Sequence, residues 1–138
     1  MQTNVNFHIA FHTERSIDAH AVRALYDVAN WWPHRQLDTI AEVLNRDLAI
    51  GVWEDVQLIA FARAVTDGSF RAYIEDVVVH LAYRRQGLAV QMVAQLIDAL
   101  SHIETISLFC SADLVGLYEQ LGFKARRSQV VMHRTGGT

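Results

Sequence analysis

A chain of 138 residues with one cysteine and one proline is constrained first by what it lacks. Cys110 has no second cysteine to pair with, so there is no internal disulfide and a reducing compartment suits the protein. One proline and seven glycines are too few for long linkers or disordered tails, apart from the closing Thr135-Gly136-Gly137-Thr138. No apolar run is long enough to span a bilayer. The opening Met1-Gln2-Thr3-Asn4-Val5-Asn6 has neither the basic nor the apolar region of a secretory signal. The expectation is a cytoplasmic protein with no membrane partner. A formal net charge of -3, with no basic run interleaved with aromatics, also sets nucleic acid aside as a partner. Seven histidines invite a metal reading, but His8 and His12 alternate with Val5, Phe7, Ile9 and Phe11. That is strand periodicity with both histidines on the wetter face, and no metal is expected.

Apolar side chains make up 51% of the residues, enough to fill one core, and the chain reads as a single domain over residues 1–138. Val5 to His12 alternates as a first strand. Ser16 is placed to cap a helix over Ile17 to Ala29, with Ala21, Val22, Leu25 and Val28 as its apolar stripe. Trp31-Trp32-Pro33-His34 breaks it, and Leu37, Ile40, Ala41 and Leu44 mark a second short helix. Strands follow at Leu48 to Glu54 and Gln57 to Thr66; after the Asp67-Gly68 turn comes a third, Arg71 to Val79. A helix with Leu88, Met92, Val93, Leu96, Ile97 and Leu100 on one face precedes a buried strand from Thr105 to Cys110. A helix from Ala112 to Leu121 with Gly122 as its C-cap, and a last strand from Val130 to His133, complete the pattern. The order β-α-α-β-β-β-α-β-α-β is that of an α+β fold without internal repeat.

The stretch Ile74-Glu75-Asp76-Val77-Val78-Val79-His80-Leu81-Ala82-Tyr83-Arg84-Arg85-Gln86-Gly87-Leu88-Ala89 points to chemistry. An apolar strand runs into a donor-rich loop with one glycine and then into a helix, so free N–H groups and a positive helix end meet where a diphosphate fits. Arg84 and Arg85 stand at the same turn, able to meet phosphate oxygens. The pattern Arg-x-x-Gly-x-Ala from Arg84 to Ala89 resembles the acetyl-CoA pyrophosphate loop of the GNAT superfamily of N-acetyltransferases. A helix and a strand later, Leu117-Tyr118-Glu119-Gln120-Leu121-Gly122-Phe123 looks like that superfamily's second signature, a tyrosine followed by Gly-Phe. The likeness is firmest from Leu48 to His133. Parts are similar to glucosamine-6-phosphate acetyltransferase, and Ala62-Arg63-Ala64-Val65-Thr66-Asp67 to the plant and cyanobacterial serotonin acetyltransferase-like group, so no acceptor follows.

The resemblance implies an α/β/α sandwich whose mixed, mostly antiparallel sheet splays between its fourth and fifth strands. It implies acetyl-CoA as co-substrate, held by main-chain groups of Val77, Val78 and Val79 and by the loop amides of Arg84, Arg85, Gln86, Gly87, Leu88 and Ala89. It makes Tyr118 the general acid, and by similarity to spermidine/spermine acetyltransferase it makes Glu75 the base. Asp76 or solvent are the alternatives; since adjacent strand residues face opposite sides, only one of Glu75 and Asp76 is expected to reach the acceptor pocket. Glu75 has a structural alternative as well, an ion pair with Arg63 or Arg71. Ser111 stands where many relatives carry a cofactor-touching asparagine. Trp31 and Trp32 fall where this fold forms its acceptor lid, with an amine bound by stacking or cation–π contact. Few cations are expected near that lid, which together with Glu75 and Asp76 favours a cationic acceptor. The function implied is acetyl transfer to a primary amine, of a small molecule or of a protein lysine or N-terminus, by a monomer or homodimer. A non-catalytic acyl-CoA-binding module is the rival from another class.

Overall fold

Alternating apolar residues and tight turns between Leu48 and Val79 produce three long strands that pair antiparallel, each with the next. The computed structural model describes residues 6–136. Its strands are β1 (Phe7–Phe11), β2 (Leu48–Glu54), β3 (Gln57–Thr66), β4 (Arg71–Val79) and β5 (Thr105–Leu108), in one sheet in that order. β5 alone runs parallel to its neighbour, pairing with β4 from Arg71↔Thr105 to Ile74↔Leu108. Beyond Ile74 the two strands share no pairs, so the expected splay is present between the fourth and fifth strands.

Helices cover both faces, as an α+β sandwich requires. On one side α1 (Ala19–Ala29) and α2 (Leu37–Arg46) bury Val22, Leu25, Tyr26, Ile40 and Leu44 against Trp53, Leu58, Phe61 and Val78. On the other α3 (Leu88–Ala99) buries Leu88, Met92, Val93 and Leu96 against Ile50, Val52, Ile59 and Ile74. Tyr118, on the short α4 (Val115–Glu119), joins this second cluster. Gly122 follows α4 at φ 92, the left-handed stop expected of it.

The strand and helix bounds from Leu48 to Ala99 agree with the sequence pattern, and the differences lie toward the ends. Val5, where the first strand was expected to begin, and Gly137 and Thr138 lie outside the described residues. Asp18, not Ser16, caps α1, its carboxylate accepting the His20 N–H at 3.1 Å. Tyr26 takes the buried place expected of Val28, which is 41% exposed. β5 stops at Leu108, because its only partner turns away after Ile74; Cys110 is therefore exposed and not a buried strand residue. The helix expected from Ala112 begins as a 3-10 turn at Ala112–Leu114 and is helical only over Val115–Glu119. Val130 to His133 forms no strand: Val130, Val131 and Met132 are exposed, and the segment touches β5's end through the Phe109 and His133 rings, 5.7 Å apart.

Leu96 is fully buried between α3 and the sheet. Leu96→Ala should cost about 2–5 kcal/mol of unfolding free energy, measured by urea denaturation, without changing the far-ultraviolet spectrum of the native state.

Candidate active site

The chemistry-bearing residues gather where β4 leaves β5, and a break in β4 arranges them. Phe61 opposes Val78 and Arg63 opposes Glu75, so Asp76 and Val77 together face the single residue Ala62. Asp76 has φ 60, the left-handed residue of a β-bulge. The extra residue reverses the side-chain alternation. Ala72 and Ile74 before it face α3, and so do Val77 and Val79 after it. Glu75 and Asp76 consequently both point toward α1 and α2, which corrects the expectation that only one of them faces the acceptor side.

Asp76 is fully buried at its side chain and accepts four hydrogen bonds. Tyr26 Oη donates at 2.9 Å, Arg35 Nη1 at 2.8 Å and Arg63 Nε at 2.8 Å to its Oδ2, and Trp32 Nε1 donates at 3.0 Å to Oδ1. Arg63 also donates to Asp47 Oδ2 at 2.7 Å and to Glu75 Oε2. Burial alone pulls the Arg63 guanidinium down, but the Asp76 hydrogen bond and charge, and then Glu75, more than offset it, and it stays charged. Burial, then the Asp76 charge and hydrogen bond, push the Tyr26 phenol well above its ordinary value. Glu75 thus has the Arg63 partner foreseen as its structural role, while its Oε1 has only a 3.7 Å approach from Arg35 Nη2. Arg35 and Arg63 correct the expectation of few cations beside the lid. Three carboxylates, Asp47, Glu75 and Asp76, still outnumber the two guanidiniums by one charge.

The lid tryptophans divide. Trp31 is half-buried against the α1–α2 cluster. Trp32 is 43% exposed at φ 53, with its indole N–H on Asp76 and the Arg35 guanidinium 4.3 Å from its ring centroid. One face of that ring is therefore already occupied by a cation. Below the lid, a cavity of about 170 Å³ is walled by Ile40, Val43, Leu44 and Phe61, with Arg35 and Arg63 also lining it.

On the opposite edge of β4 the main chain is exposed to the splay. The His80 N–H donates to the Ile59 carbonyl of β3 at 2.7 Å, so the peptide groups of Val79, one residue earlier, face away from β3. Arg84 Nε takes that outward Val79 carbonyl at 3.2 Å. The same alternation turns Val77 outward and Val78 back toward Phe61. Of the three valines expected to offer main-chain groups, Val77 and Val79 turn theirs toward the splay and Val78 turns its own toward β3.

The loop that follows ends at Gly87, the N-cap of α3, with φ 76. A Cβ there would meet nothing within 4 Å, so the surface above the loop is open and the glycine is required by its backbone angle. Arg84, Arg85, Gln86 and Gly87 are exposed; Leu88 is buried and has only its amide to offer, and Ala89 is half-buried. The loop and the unpaired β4 edge fit a diphosphate joined to an extended amide-bearing arm. Tyr118, in the same apolar cluster as Val77 and Val79, has a buried ring set edge-on to Phe123 at 6.1 Å. Its hydroxyl has no hydrogen-bond partner among the described residues, and it is not sealed from solvent. Burial, and then the neighbouring Cys110, hold that phenol above its ordinary range and keep it protonated. Ser111 donates to Asp113 Oδ1 at 2.6 Å, a contact turned back on its own turn.

Three members of the cluster, Tyr26, Arg35 and Asp47, escaped the sequence reading. Tyr26 looks like one more apolar position of α1, and Arg35 lies in a loop without periodicity.

The family model described as the acetyltransferase (GNAT) family matches residues 11–123. The Uncharacterized N-acetyltransferase ycf52 of Gracilaria tenuistipitata var. liui is 34% identical over 128 residues, covering 88% of this chain and 69% of that protein. The Histone acetyltransferase TAP1 of Glycine max is 31% identical over 131 residues, covering 85% of this chain and 56% of that protein. The chain thus spans between 56% and 69% of the length of these two relatives. A crystal structure from Xanthomonas campestris pv. campestris, described as belonging to the GNAT family, is 27% identical with a TM-score of 0.78, covering 94% of each chain.

All four tyrosines, Tyr26, Tyr73, Tyr83 and Tyr118, are shifted upward. Their phenolate absorbance should therefore rise only above pH 10 in the native protein, and near about pH 10 in urea. Because the folded values are the higher ones, the stability these groups contribute is complete below pH 10 and is lost as pH rises from there through the folded values. Thermal melts between pH 8 and 11 should show that decline.

Proposed function

The chain belongs to the GNAT acetyltransferase family, and from that premise we propose that it transfers the acetyl group of acetyl-CoA to a primary amine by direct attack on the thioester. The observation that carries this reading is the outward-facing main chain of Val77 and Val79, which leads from the β4–β5 splay to the open Gly87 loop at the N-terminus of α3. Bound there, acetyl-CoA supplies the activated acetyl carbon. The amides of Arg84, Arg85, Gln86, Gly87, Leu88 and Ala89 take its diphosphate at the N-terminus of α3. Main-chain groups of Val77 and Val79 align the arm and polarise the carbonyl.

An amine nitrogen forms the new C–N bond as the thioester C–S bond breaks. Tyr118, kept protonated by its burial, gives the leaving thiolate a proton. Glu75, directly or through water, takes one from the amine; its Oε1 has no hydrogen bond among the described residues, only the 3.7 Å approach of Arg35. Asp76, with four donors upon it, is a positioning residue in this scheme and not the base.

The acceptor we infer is a small cationic amine. One unmatched negative charge in the carboxylate–guanidinium cluster attracts it, and the apolar cavity beside the cluster accommodates a short hydrocarbon portion. A protein lysine is the second reading, favoured by the relative named as a histone acetyltransferase. A reducing compartment such as the cytoplasm suits the free Cys110 thiol.

Acetyl transfer against a panel of primary amines tests the proposal. Tyr118→Phe should lower kcat about a hundredfold, with CoA affinity unchanged. Glu75→Gln should lower kcat/KM for the amine about a hundredfold, with CoA affinity unchanged. Wild-type protein that binds CoA and acetylates no amine would identify a non-catalytic acyl-CoA-binding module instead.

A further inference from the structure

The phosphate loop holds a conformation that its own sequence does not favour. Arg85 sits at φ 66 and Gly87 at φ 76, two left-handed residues within three positions. A non-glycine residue there is strained and persists only where its surroundings hold it. Two of the contacts that brace the loop are local: His80 Nδ1 accepts the Ala82 N–H at 3.1 Å, and Arg84 reaches back to Val79. A third comes from elsewhere in the fold. Tyr83 Oη donates to Glu54 Oε1 at 2.9 Å, across 29 residues of sequence. Glu54 ends β2 with Phe7 on one side and Gln57 on the other, so its backbone is fixed by two neighbouring strands. The Tyr83 ring is set edge-on to Phe7 at 6.1 Å and to His80 at 5.8 Å, which fixes its direction.

We propose that the Tyr83–Glu54 hydrogen bond is the latch that positions the acetyl-CoA phosphate loop, making both residues positioning residues for cofactor binding. This rests on the reading of that loop as the diphosphate site. Neither side chain touches the reacting atoms. The latch ties the 3-10 turn Leu81–Tyr83, which opens the loop, to the β1–β3 part of the sheet, so the amides of Arg85 to Leu88 are presented before the cofactor arrives and no ordering cost falls on binding. A hydrogen bond to a carboxylate is among the stronger neutral-to-charged contacts a protein makes.

Titration calorimetry with CoA alone, which needs no turnover, is the test, supported by steady-state kinetics. Tyr83→Phe keeps the ring contacts and removes only the hydroxyl. It should weaken CoA binding about five- to tenfold and raise the acetyl-CoA KM alike, with kcat and the amine KM unchanged. Glu54→Ala should match it, the double variant should be no worse than either, and Glu54→Gln, which keeps an acceptor oxygen, should recover most of the affinity. CoA affinity within twofold of wild type in Tyr83→Phe overturns the latch, and so does a fall in kcat that tracks a fall in Tm. Wild-type protein that binds no CoA overturns the diphosphate reading and the latch with it.

Discussion

One residue in an unfavourable backbone conformation organises this site. Asp76 occupies the left-handed region at φ 60, which costs a non-glycine residue about 1 kcal/mol or more. Four hydrogen bonds, from α1, the lid and β3, converge on its carboxylate and offset that cost. The bulge then has three consequences. It turns Glu75 and Asp76 to the same face, and it returns Val77 and Val79 to the core behind them. It coincides with the end of β4–β5 pairing, so the edge of β4 beyond it that faces away from β3 has no strand partner. And it binds Trp32 and Arg35, the lid residues, to the strand where the cofactor edge begins.

The cluster around Asp76 is better understood as specificity than as stability. Buried ion pairs often do no better than apolar residues of the same shape, because desolvation cancels much of the attraction. Here Arg63 is shared among Asp47, Glu75 and Asp76, and Arg35 between Asp76 and, at longer range, Glu75. The arrangement satisfies Asp76 fully and leaves Glu75 with an oxygen to spare. Two adjacent carboxylates are thereby given different surroundings, one saturated with donors and one with an oxygen left over. In the proposed reaction the remaining negative charge attracts an ammonium group without requiring a further dedicated side chain.

Much of the fold was legible in the sequence because its central elements are built by local patterns. The bounds of β2, β3 and β4 follow from alternation between turn residues, and α3 follows from helical spacing after Gly87. The strand–glycine–helix loop proposed for the cofactor was legible for the same reason, since its parts are adjacent in the chain. What stayed hidden depends on partners far away. Nothing in Glu75-Asp76-Val77 marks a bulge, because the residues read equally well as continuing alternation, and the donors that stabilise it lie 44 and 41 residues distant at Trp32 and Arg35. Cys110 and Val130 to His133 read as strand by composition, yet a strand needs an edge to pair with, and β5 ends at Leu108 once β4 has turned away. Ser16 and Asp18 are both good caps, and only the path of the chain out of β1 decides between them.

The most direct test of the organising role of Asp76 is amide hydrogen exchange on the Asp76→Asn protein, which keeps the side chain's shape and removes its charge. The amides of Trp31 and Arg35, bonded to the Tyr26 and Trp32 carbonyls, report on the lid. The account predicts that these exchange at least about tenfold faster, while the core amides of β2 and β3 keep their protection. Unchanged protection at Trp31 and Arg35, or an equal loss throughout the sheet, would contradict it.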